Sequence, residues 1–137
     1  MRVFLANREA VVRSALEIAL GREFGAVVVG EASGTQGLVE RVHAADPDLV
    51  LVDWELPTVP VAYLLPALRS ATNGGGGQRP FIVILSVQPD VEGAALAAGA
   101  DAFVSKTDPP ARLLAALRGL KPDAGVRQPQ RGRGDGG

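Results

Sequence analysis

The chain contains no cysteine, a single histidine, and so few aromatic residues that they make up only 4% of its 137 residues. Without cysteine there is no disulfide framework, no thiol nucleophile and no cysteine-ligated metal site. The lone His43 excludes any site that needs two imidazole groups, and we expect it on the exposed side of a helix. Function must therefore be carried by other side chains.

Excess charge and long apolar runs are also missing. Lys and Arg together number 14 and Asp and Glu 15, a formal net charge of −1, which favours neither a nucleic-acid-binding surface nor an acidic disordered chain. No apolar run approaches the roughly 20 residues that span a bilayer, and the run at residues 3–6 is too short for a secretory signal. We therefore expect a soluble, cytoplasmic, single-domain protein with no membrane partner.

Five short apolar runs recur at residues 3–6, 27–29, 49–52, 81–85 and 102–104. The middle three are continuous and mostly β-branched, which is typical of strands covered on both faces. The segments between the runs have helical spacing of apolar residues. The predicted helical faces are Val12, Leu16, Ala19 and Leu20; Leu38, Val42 and Ala45; and Leu113, Leu114, Leu117 and Leu120.

Strands alternating with helices predict a parallel sheet, because each parallel pair needs a helical crossover. Right-handed crossovers place helices on both faces of that sheet. At this chain length the alternation predicts an α/β, flavodoxin-like (βα)5 three-layer sandwich with strand order 2-1-3-4-5.

Two of the predicted helices are weak. The third, near residues 60–71, contains Pro66, which would kink it unless the helix begins late. The fourth, near residues 89–98, is built almost wholly of Ala and Gly, with Gly93 costing about 1 kcal/mol, so it should be the least stable element.

The last helix has clear signals at both ends. Asp108 is predicted as its N-cap, with Pro109 at the first helical position, and Gly119 is predicted to end it.

Two segments have no periodicity. Residues 73–78 predict a surface loop before the fourth strand. From residue 121 onward the composition is Gly, Pro, Arg, Gln and Asp, which predicts a disordered tail. We therefore predict an ordered domain at residues 1–120 and a tail at 121–137, solubilising rather than RNA-binding despite its Arg-Gly tract.

A site is expected at the carboxyl edge of the sheet, where the strand order reverses between strands one and three. Parallel strands deliver polar side chains to that edge from four loops. These residues are Asn7, Arg8 and Glu9 after strand one; Asp53, Trp54 and Glu55 after strand three; Ser86 after strand four; and Ser105 and Lys106 after strand five.

These residues resemble those of a response-regulator receiver domain, the phosphoryl-accepting module of bacterial two-component signalling. The resemblance covers residues 2–120. Asp53 ends the third strand with Pro57 four residues later, Ser86 ends the fourth, and residues 98–106 are similar to the family's segment into strand five. Residues 11–16 and 28–32 resemble the subfamily that usually precedes a helix-turn-helix output domain.

The resemblance implies that Asp53 is the phosphoacceptor, since a carboxylate can attack a phosphoryl group to give an acyl phosphate. It implies that Lys106 neutralises one phosphoryl oxygen and that the Ser86 hydroxyl donates to another. Phe103 matches the family's aromatic switch, which turns inward when Ser86 moves toward the phosphoryl group. Mg²⁺ is the implied cofactor, held by Asp53 and the backbone of Glu55.

The residues after strand one depart from the family pattern. Receivers place two adjacent acidic residues there to hold Mg²⁺, whereas this chain has Asn7 and Arg8. The charges of Asp53, Arg8 and Lys106 then sum to +1, against −2 for the usual set. A unit charge beside a dication at 4 Å is worth roughly 8 kcal/mol at an effective dielectric of 20, and even about 2 kcal/mol would weaken binding more than tenfold. We therefore predict poor Mg²⁺ affinity and slow or absent metal-dependent phosphorylation.

Arg8 leaves two alternatives open. In the first, its guanidinium would pair with Asp53 and hold the site in one charge state. In the second, it would contact a phosphoryl group in place of the metal ion. A shifted loop would instead present Glu9 as a metal ligand, although the simpler role of Glu9 is a favourable acid in the first helical turn.

Two functions remain open. The first is a single-domain receiver that accepts a phosphoryl group on Asp53 from a histidine kinase or phosphotransfer protein, and is not otherwise an enzyme. The second is a phosphorylation-independent pseudo-receiver, an interaction or dimerisation module, which Asn7 and Arg8 favour. Either would act through a partner or a homodimer formed by the face of helix 4, strand 5 and helix 5, without direct DNA binding. No glycine-rich phosphate loop supports small-molecule binding at the same edge.

Overall fold

The computed structural model describes residues 1–70 and 80–120. Its strands coincide with the five apolar runs, each extended by one to three residues. They are β1 (Arg2–Ala6), β2 (Val27–Ala32), β3 (Leu49–Asp53), β4 (Phe81–Ser86) and β5 (Ala102–Ser105). The loop predicted at residues 73–78 and the tail predicted at 121–137 lie outside the described residues.

The strands form one parallel sheet in the order β2-β1-β3-β4-β5. The prediction of a flavodoxin-like sheet is therefore confirmed. In register, Ala6 pairs with Val52, Asp53 with Leu85, and Ser86 with Ser105. This register brings the carboxyl ends of β1, β3, β4 and β5 level with one another, which is what places a site at that edge.

Helices cover both faces of the sheet. They are α1 (Ala10–Phe24), α2 (Leu38–Ala45), α3 (Leu65–Arg69), α4 (Glu92–Ala97) and α5 (Pro110–Gly119), with single 3-10 turns at Val61–Tyr63 and Pro89–Val91. Helices α2, α3 and α4 pack on one face, around Val50, Val52 and Ile84. Helices α1 and α5 pack on the other, around Leu49, Leu51 and Val83. Alternate residues of each central strand thus face opposite cores, as continuous apolar strands require.

The two helices predicted to be weak are the two shortest α-helices in the described part of the chain. Pro66 is the second residue of α3, where its missing N–H costs no helical hydrogen bond, so the helix begins late and shrinks to five residues. Helix α4 has six residues and buries only Ala95, so little apolar area stabilises it.

The predicted start of the last helix is wrong by one residue. Helix α5 begins at Pro110, and its N-cap is Pro109 rather than Asp108. The reason is steric: a residue that precedes a proline is pushed out of the helical region, and Pro109 lies at ψ 151°, in extended backbone.

The predicted face of α1 is only partly buried. Leu20 is fully buried and Leu16 packs against the same core, whereas Val12 and Ala19 lie at its margin. His43 is exposed on α2, as expected. Within residues 1–70 and 80–120, none of the helices has the length and apolar character needed to cross a membrane.

Candidate functional site at the carboxyl edge of the sheet

Asp53 is the last residue of β3 and is almost completely buried, with 1% of its surface exposed. Lys106, which follows β5, reaches it directly: its Nζ lies 2.7 Å from Asp53 Oδ1. The backbone N–H of Lys106 donates to the carbonyl of Ser86 at 2.7 Å, which attaches the end of β5 to the end of β4. The structure therefore brings together three residues that the sequence places on three different strands.

A tight turn after β3 aims the next acidic residue across the edge of the sheet. The backbone N–H of Glu55 donates to Asp53 Oδ1 at 3.0 Å, and that of Leu56 donates to the Asp53 carbonyl at 3.1 Å. The Trp54 N–H donates to the Leu85 carbonyl at 2.7 Å, which fastens the turn to β4. The turn leaves the Glu55 side chain facing the loop after β4.

The Glu55 carboxylate contacts four donors. Ser86 Oγ donates to Oε2, as does Gln88 Nε2 at 3.1 Å. The backbone N–H of Val87 donates to Oε1 at 3.3 Å, and Lys106 Nζ lies 3.4 Å from the same oxygen. Sequence reasoning placed Glu55 at this edge but gave it only a backbone role toward the metal, so the donors that its carboxylate accepts were not predicted. An acidic residue two positions after Asp53, within reach of the Ser86 loop, was the available signal.

The two carboxyl groups have pKa shifts of opposite direction. Burial raises the pKa of Asp53, and the hydrogen bonds from Lys106 and from the Glu55 N–H oppose that rise without cancelling it. Burial also acts to raise the pKa of Glu55, but the hydrogen bonds from Ser86, Val87 and Gln88 outweigh it and the pKa is lowered. Burial thus favours the protonated form of Asp53, and the converging donors favour the ionised form of Glu55.

Asn7 lies at the end of β1 with 2% of its surface exposed. Its Oδ1 accepts the backbone N–H of Glu9 at 2.8 Å, and its backbone N–H donates to the Ala32 carbonyl at 2.9 Å. Its Nδ2 is buried without a hydrogen-bond partner in the described part of the chain. The buried end of the side chain is therefore a donor.

Arg8 is exposed and forms no ion pair or hydrogen bond within residues 1–70 and 80–120. The alternative in which Arg8 pairs with Asp53 is therefore wrong for this structure, because Lys106 holds that position. A different arginine reaches the end of β1: Arg13 Nη1 donates to the Asn7 carbonyl at 2.5 Å. Glu9 is exposed and is not brought to Asp53, and its predicted place in the first helical turn is also wrong, because α1 begins at Ala10 and Glu9 is its N-cap.

Phe103 is half-buried on β5 and lines a groove of about 500 Å³ between α4, β5 and α5. Charged residues, Glu92, Asp108 and Arg112, share this groove. Ser105 Oγ lies 2.8 Å from Thr107 Oγ1, and Trp54 packs against the core on the face of the sheet covered by α2, α3 and α4. Neither of these two side chains joins Asp53, Ser86 and Lys106.

Comparison with known proteins gives a consistent result. The family model of the response regulator receiver domain matches residues 3–118. The nitrate/nitrite response regulator protein NarL of Escherichia coli K12 is 31% identical over 117 residues, which are 84% of this chain and 52% of that protein. The chain thus spans about half the length of this curated relative.

Two solved structures are similar throughout. A LuxR-family two-component response regulator from Aurantimonas is 26% identical with a TM-score of 0.71, over 87% of this chain and 83% of that one. The BeF3-activated N-terminal receiver domain of Klebsiella pneumoniae RstA is 29% identical with a TM-score of 0.71, over 86% of this chain and 96% of that one.

Proposed function

The chain belongs to the response regulator receiver domain family of two-component signalling, and we propose that it is an atypical receiver with Asp53 as phosphoacceptor and weakened metal-dependent phosphorylation. Receiver domains are generally signalling modules rather than enzymes. The one covalent step assigned to this chain is therefore the phosphorylation of its own Asp53 from a phosphodonor.

The contact of Lys106 Nζ with Asp53 Oδ1 at 2.7 Å carries this proposal. An ammonium group beside a buried carboxylate supplies the positive charge that a phosphoryl group needs when it is transferred. Ser86 ends the neighbouring strand and is fully buried, so its hydroxyl is also held at the site. A lysine paired with a buried carboxylate, and a buried hydroxyl at the end of the neighbouring strand, support acceptance of an oxyanion more than they support a structural cap.

In the transfer step, a carboxylate oxygen of Asp53 attacks phosphorus. A new oxygen–phosphorus bond forms, and the bond from phosphorus to the donor breaks: to nitrogen in a phosphohistidine, or to oxygen in acetyl phosphate. The electron pair leaves with the donor. Because the transition state is loose, the chain contributes mainly position and charge, from Lys106 and the Ser86 hydroxyl. Asp53 must be ionised to attack, and its burial works against that.

Receiver domains generally bind Mg²⁺ at the phosphorylation site, and the residues of this chain suit that ion poorly. The Asp53 carboxylate is paired with Lys106, and the side-chain oxygen of Asn7 already accepts the Glu9 N–H. The other end of Asn7 is an N–H donor, which cannot ligate a cation. In the part of the chain that the structure describes, no group of three or more His, Asp or Glu could hold a metal. We therefore assign Mg²⁺ at most weak binding, through Asp53 and the backbone of Glu55.

A second candidate function is a pseudo-receiver that works without phosphorylation as an interaction or dimerisation module. The observation that favours it is the filled site: Lys106 and Ser86 already contact the chain's own carboxylates. In this alternative the state of the module is set by its partner. The face formed by α4, β5 and α5, with the groove beside Phe103, is the surface we assign to a homodimer.

The partner in the primary proposal is a histidine kinase or a phosphotransfer protein. The likeness to NarL and to a LuxR-family regulator supports a place in two-component signalling. Because the match covers only 52% of NarL, no output activity of NarL is proposed for this chain. The receiver itself is assigned no direct contact with DNA.

The test is phosphorylation of the full chain by acetyl phosphate with and without Mg²⁺, followed by intact mass. We expect slow addition of one phosphoryl group in wild type that Mg²⁺ accelerates only weakly. Asp53→Asn should abolish the addition, and Asp90→Asn, which removes an exposed carboxylate, should leave it unchanged. Failure of wild type to accept phosphate even at high donor concentration would favour the pseudo-receiver, and modification of Asp53→Asn would contradict the assignment of the acceptor.

A further inference from the structure

The Glu55 carboxylate collects donors from two strand ends. From the loop after β4 it accepts the Ser86 hydroxyl, the Val87 N–H at 3.3 Å and Gln88 Nε2 at 3.1 Å. From the end of β5, Lys106 Nζ approaches to 3.4 Å. Ser86 Oγ in turn accepts the Gln88 N–H at 2.9 Å. Residues 86–88, the 86–88 segment, are therefore held in a turn that contacts the Glu55 carboxylate.

Two of these donors are the ones that the proposed function assigns to a phosphoryl group. A carboxylate and a phosphoryl group are both oxyanions and accept the same kind of hydrogen bond from a hydroxyl, an amide N–H and an ammonium group. In the unphosphorylated chain Glu55 therefore satisfies Ser86 and part of Lys106. A phosphoryl group on Asp53 would therefore find the Ser86 hydroxyl and Lys106 already in contact with Glu55. It would also be repelled by the negative charge of the Glu55 carboxylate.

We infer that Glu55 is an intramolecular latch: it holds the 86–88 segment closed in the unphosphorylated chain and competes with a phosphoryl group for Ser86 and Lys106. The inference rests on the proposed function for the identity of the competing group. Phosphorylation would have to displace the Glu55 carboxylate, and this displacement would free the segment that leads into α4. Val87 is 52% exposed and Gln88 is exposed, so the part of the segment beyond the buried Ser86 has little packing besides its contacts with Glu55.

The contacts of Glu55 are not those of an ordinary surface acid. Its side chain is 26% exposed, and its donors come from sequence positions more than 30 residues away. An isolated surface ion pair contributes little, but four converging donors on a partly buried carboxylate form a network whose removal releases all of them at once.

The experiment compares the full-length wild type with Glu55→Ala and Glu55→Gln. The exposed Glu17 of α1 provides the matched control, Glu17→Ala. Backbone amide order parameters of Val87 and Gln88 report the latch, and intact mass reports the rate at which acetyl phosphate and Mg²⁺ phosphorylate Asp53. Circular dichroism checks that each variant is folded.

We expect order parameters near 0.85 in wild type and Glu17→Ala, and below about 0.6 in Glu55→Ala. Glu55→Gln retains one acceptor oxygen and should lie between them. Phosphorylation of Asp53 should be about tenfold faster in Glu55→Ala, because the donors are released.

Unchanged order parameters in Glu55→Ala would overturn the inference whatever the phosphorylation rates. A looser segment with measurable but unaccelerated phosphorylation would overturn the competition. A looser segment with no phosphorylation in any variant would support the latch and contradict the proposed phosphoacceptor. A segment that stays rigid in all variants, with equal phosphorylation of all of them, would contradict the latch and support Asp53 as the phosphoacceptor.

Discussion

The side-chain oxygen of Asn7 accepts the backbone N–H of Glu9 at 2.8 Å, just before the start of α1. This contact orients the Asn7 amide, with its oxygen toward Glu9 and its NH2 group on the other side. The remaining Nδ2 is buried with no partner in residues 1–70 and 80–120. A buried donor without a partner is costly. An oxyanion would satisfy it, whereas a cation would not, and this supports the proposed weak metal binding independently of the charge of Arg8.

Restoring acidic residues after β1 should restore metal affinity. In the double variant Asn7→Asp with Arg8→Asp, two carboxylates replace a donor and a cation, and we expect Mg²⁺ to bind more than tenfold tighter than in wild type. Trp54 adjoins Asp53 and is the only tryptophan, so its fluorescence during a Mg²⁺ titration is the measurement.

The control for net charge is Arg22→Asp, at the opposite end of α1 from the site. It should leave the Mg²⁺ response at the wild-type level. A wild-type response as tight as that of the double variant would show that Asn7 and Arg8 do not weaken the metal site.

Asp53→Asn and Glu55→Gln should change stability in opposite directions at neutral pH. Burial raises the folded-state pKa of Asp53 above its ordinary 3.8, so between these two values Asp53 binds a proton more strongly in the folded chain than in the unfolded chain. The stability associated with this carboxyl is present below 3.8 and is lost as pH rises through the raised pKa. Asp53→Asn should therefore gain stability over wild type at pH 7, and the gain should shrink toward pH 4.

For Glu55 the sign is reversed. Its folded-state pKa lies below the ordinary 4.5, so its contribution is present above that pH and is lost as pH falls through the lowered pKa. Glu55→Gln should lose stability at pH 7. Urea unfolding at pH 4, 5.5 and 7 measures both variants, with Asp90→Asn as the matched control outside the site. Equal shifts of the same sign would contradict the opposite directions of the Asp53 and Glu55 pKa shifts.

The two arginines near the end of β1 should differ in their effect on stability. Arg13 pairs with Glu31 at 2.6 Å and donates to the Asn7 carbonyl, with only 18% of its side chain exposed. Arg13→Ala should cost about 1–2 kcal/mol, because these contacts and the packing of its stem are lost together. Arg8→Ala should change the free energy of unfolding by less than about 0.5 kcal/mol, since Arg8 is exposed and unpartnered in the described part of the chain. Chemical denaturation measures both, and a larger loss in Arg8→Ala would contradict its placement.

Two glycines around α4 should also respond in opposite ways to alanine. Gly93 lies inside α4, and a Cβ there would meet no atom within 4 Å. Gly93→Ala should stabilise the protein by about 0.5–1 kcal/mol, through helix propensity and the lower entropy of the unfolded chain. Gly99 has φ +120°, which alanine rarely adopts, so Gly99→Ala should destabilise it although the space around it is open. Thermal unfolding distinguishes them, and a stabilising Gly99→Ala would rule out the positive φ.

The elements that could be predicted are those whose signal is local. Apolar runs identified all five strands, and the helical patterns between them predicted the parallel sheet. The start of α5 was misplaced because two consecutive prolines compete for the first helical position, and only the extended backbone of Pro109 shows which of them wins. The burial of α1 was overestimated, since helical spacing alone cannot tell how much of a face the sheet covers.

The sequence by itself determined which residues reach the carboxyl edge of the sheet, because strand order and strand ends follow from local patterns. It also determined that Asn7 and Arg8 follow β1, where the resemblance to receiver domains implies two acidic residues. Only the tertiary structure decided that Lys106 rather than Arg8 neutralises Asp53, and that Glu55 takes the Ser86 hydroxyl. Such pairings depend on distances of 2.7 to 3.4 Å between flexible side chains from separate loops. Those distances are set by how the loops pack on one another, which no local pattern encodes.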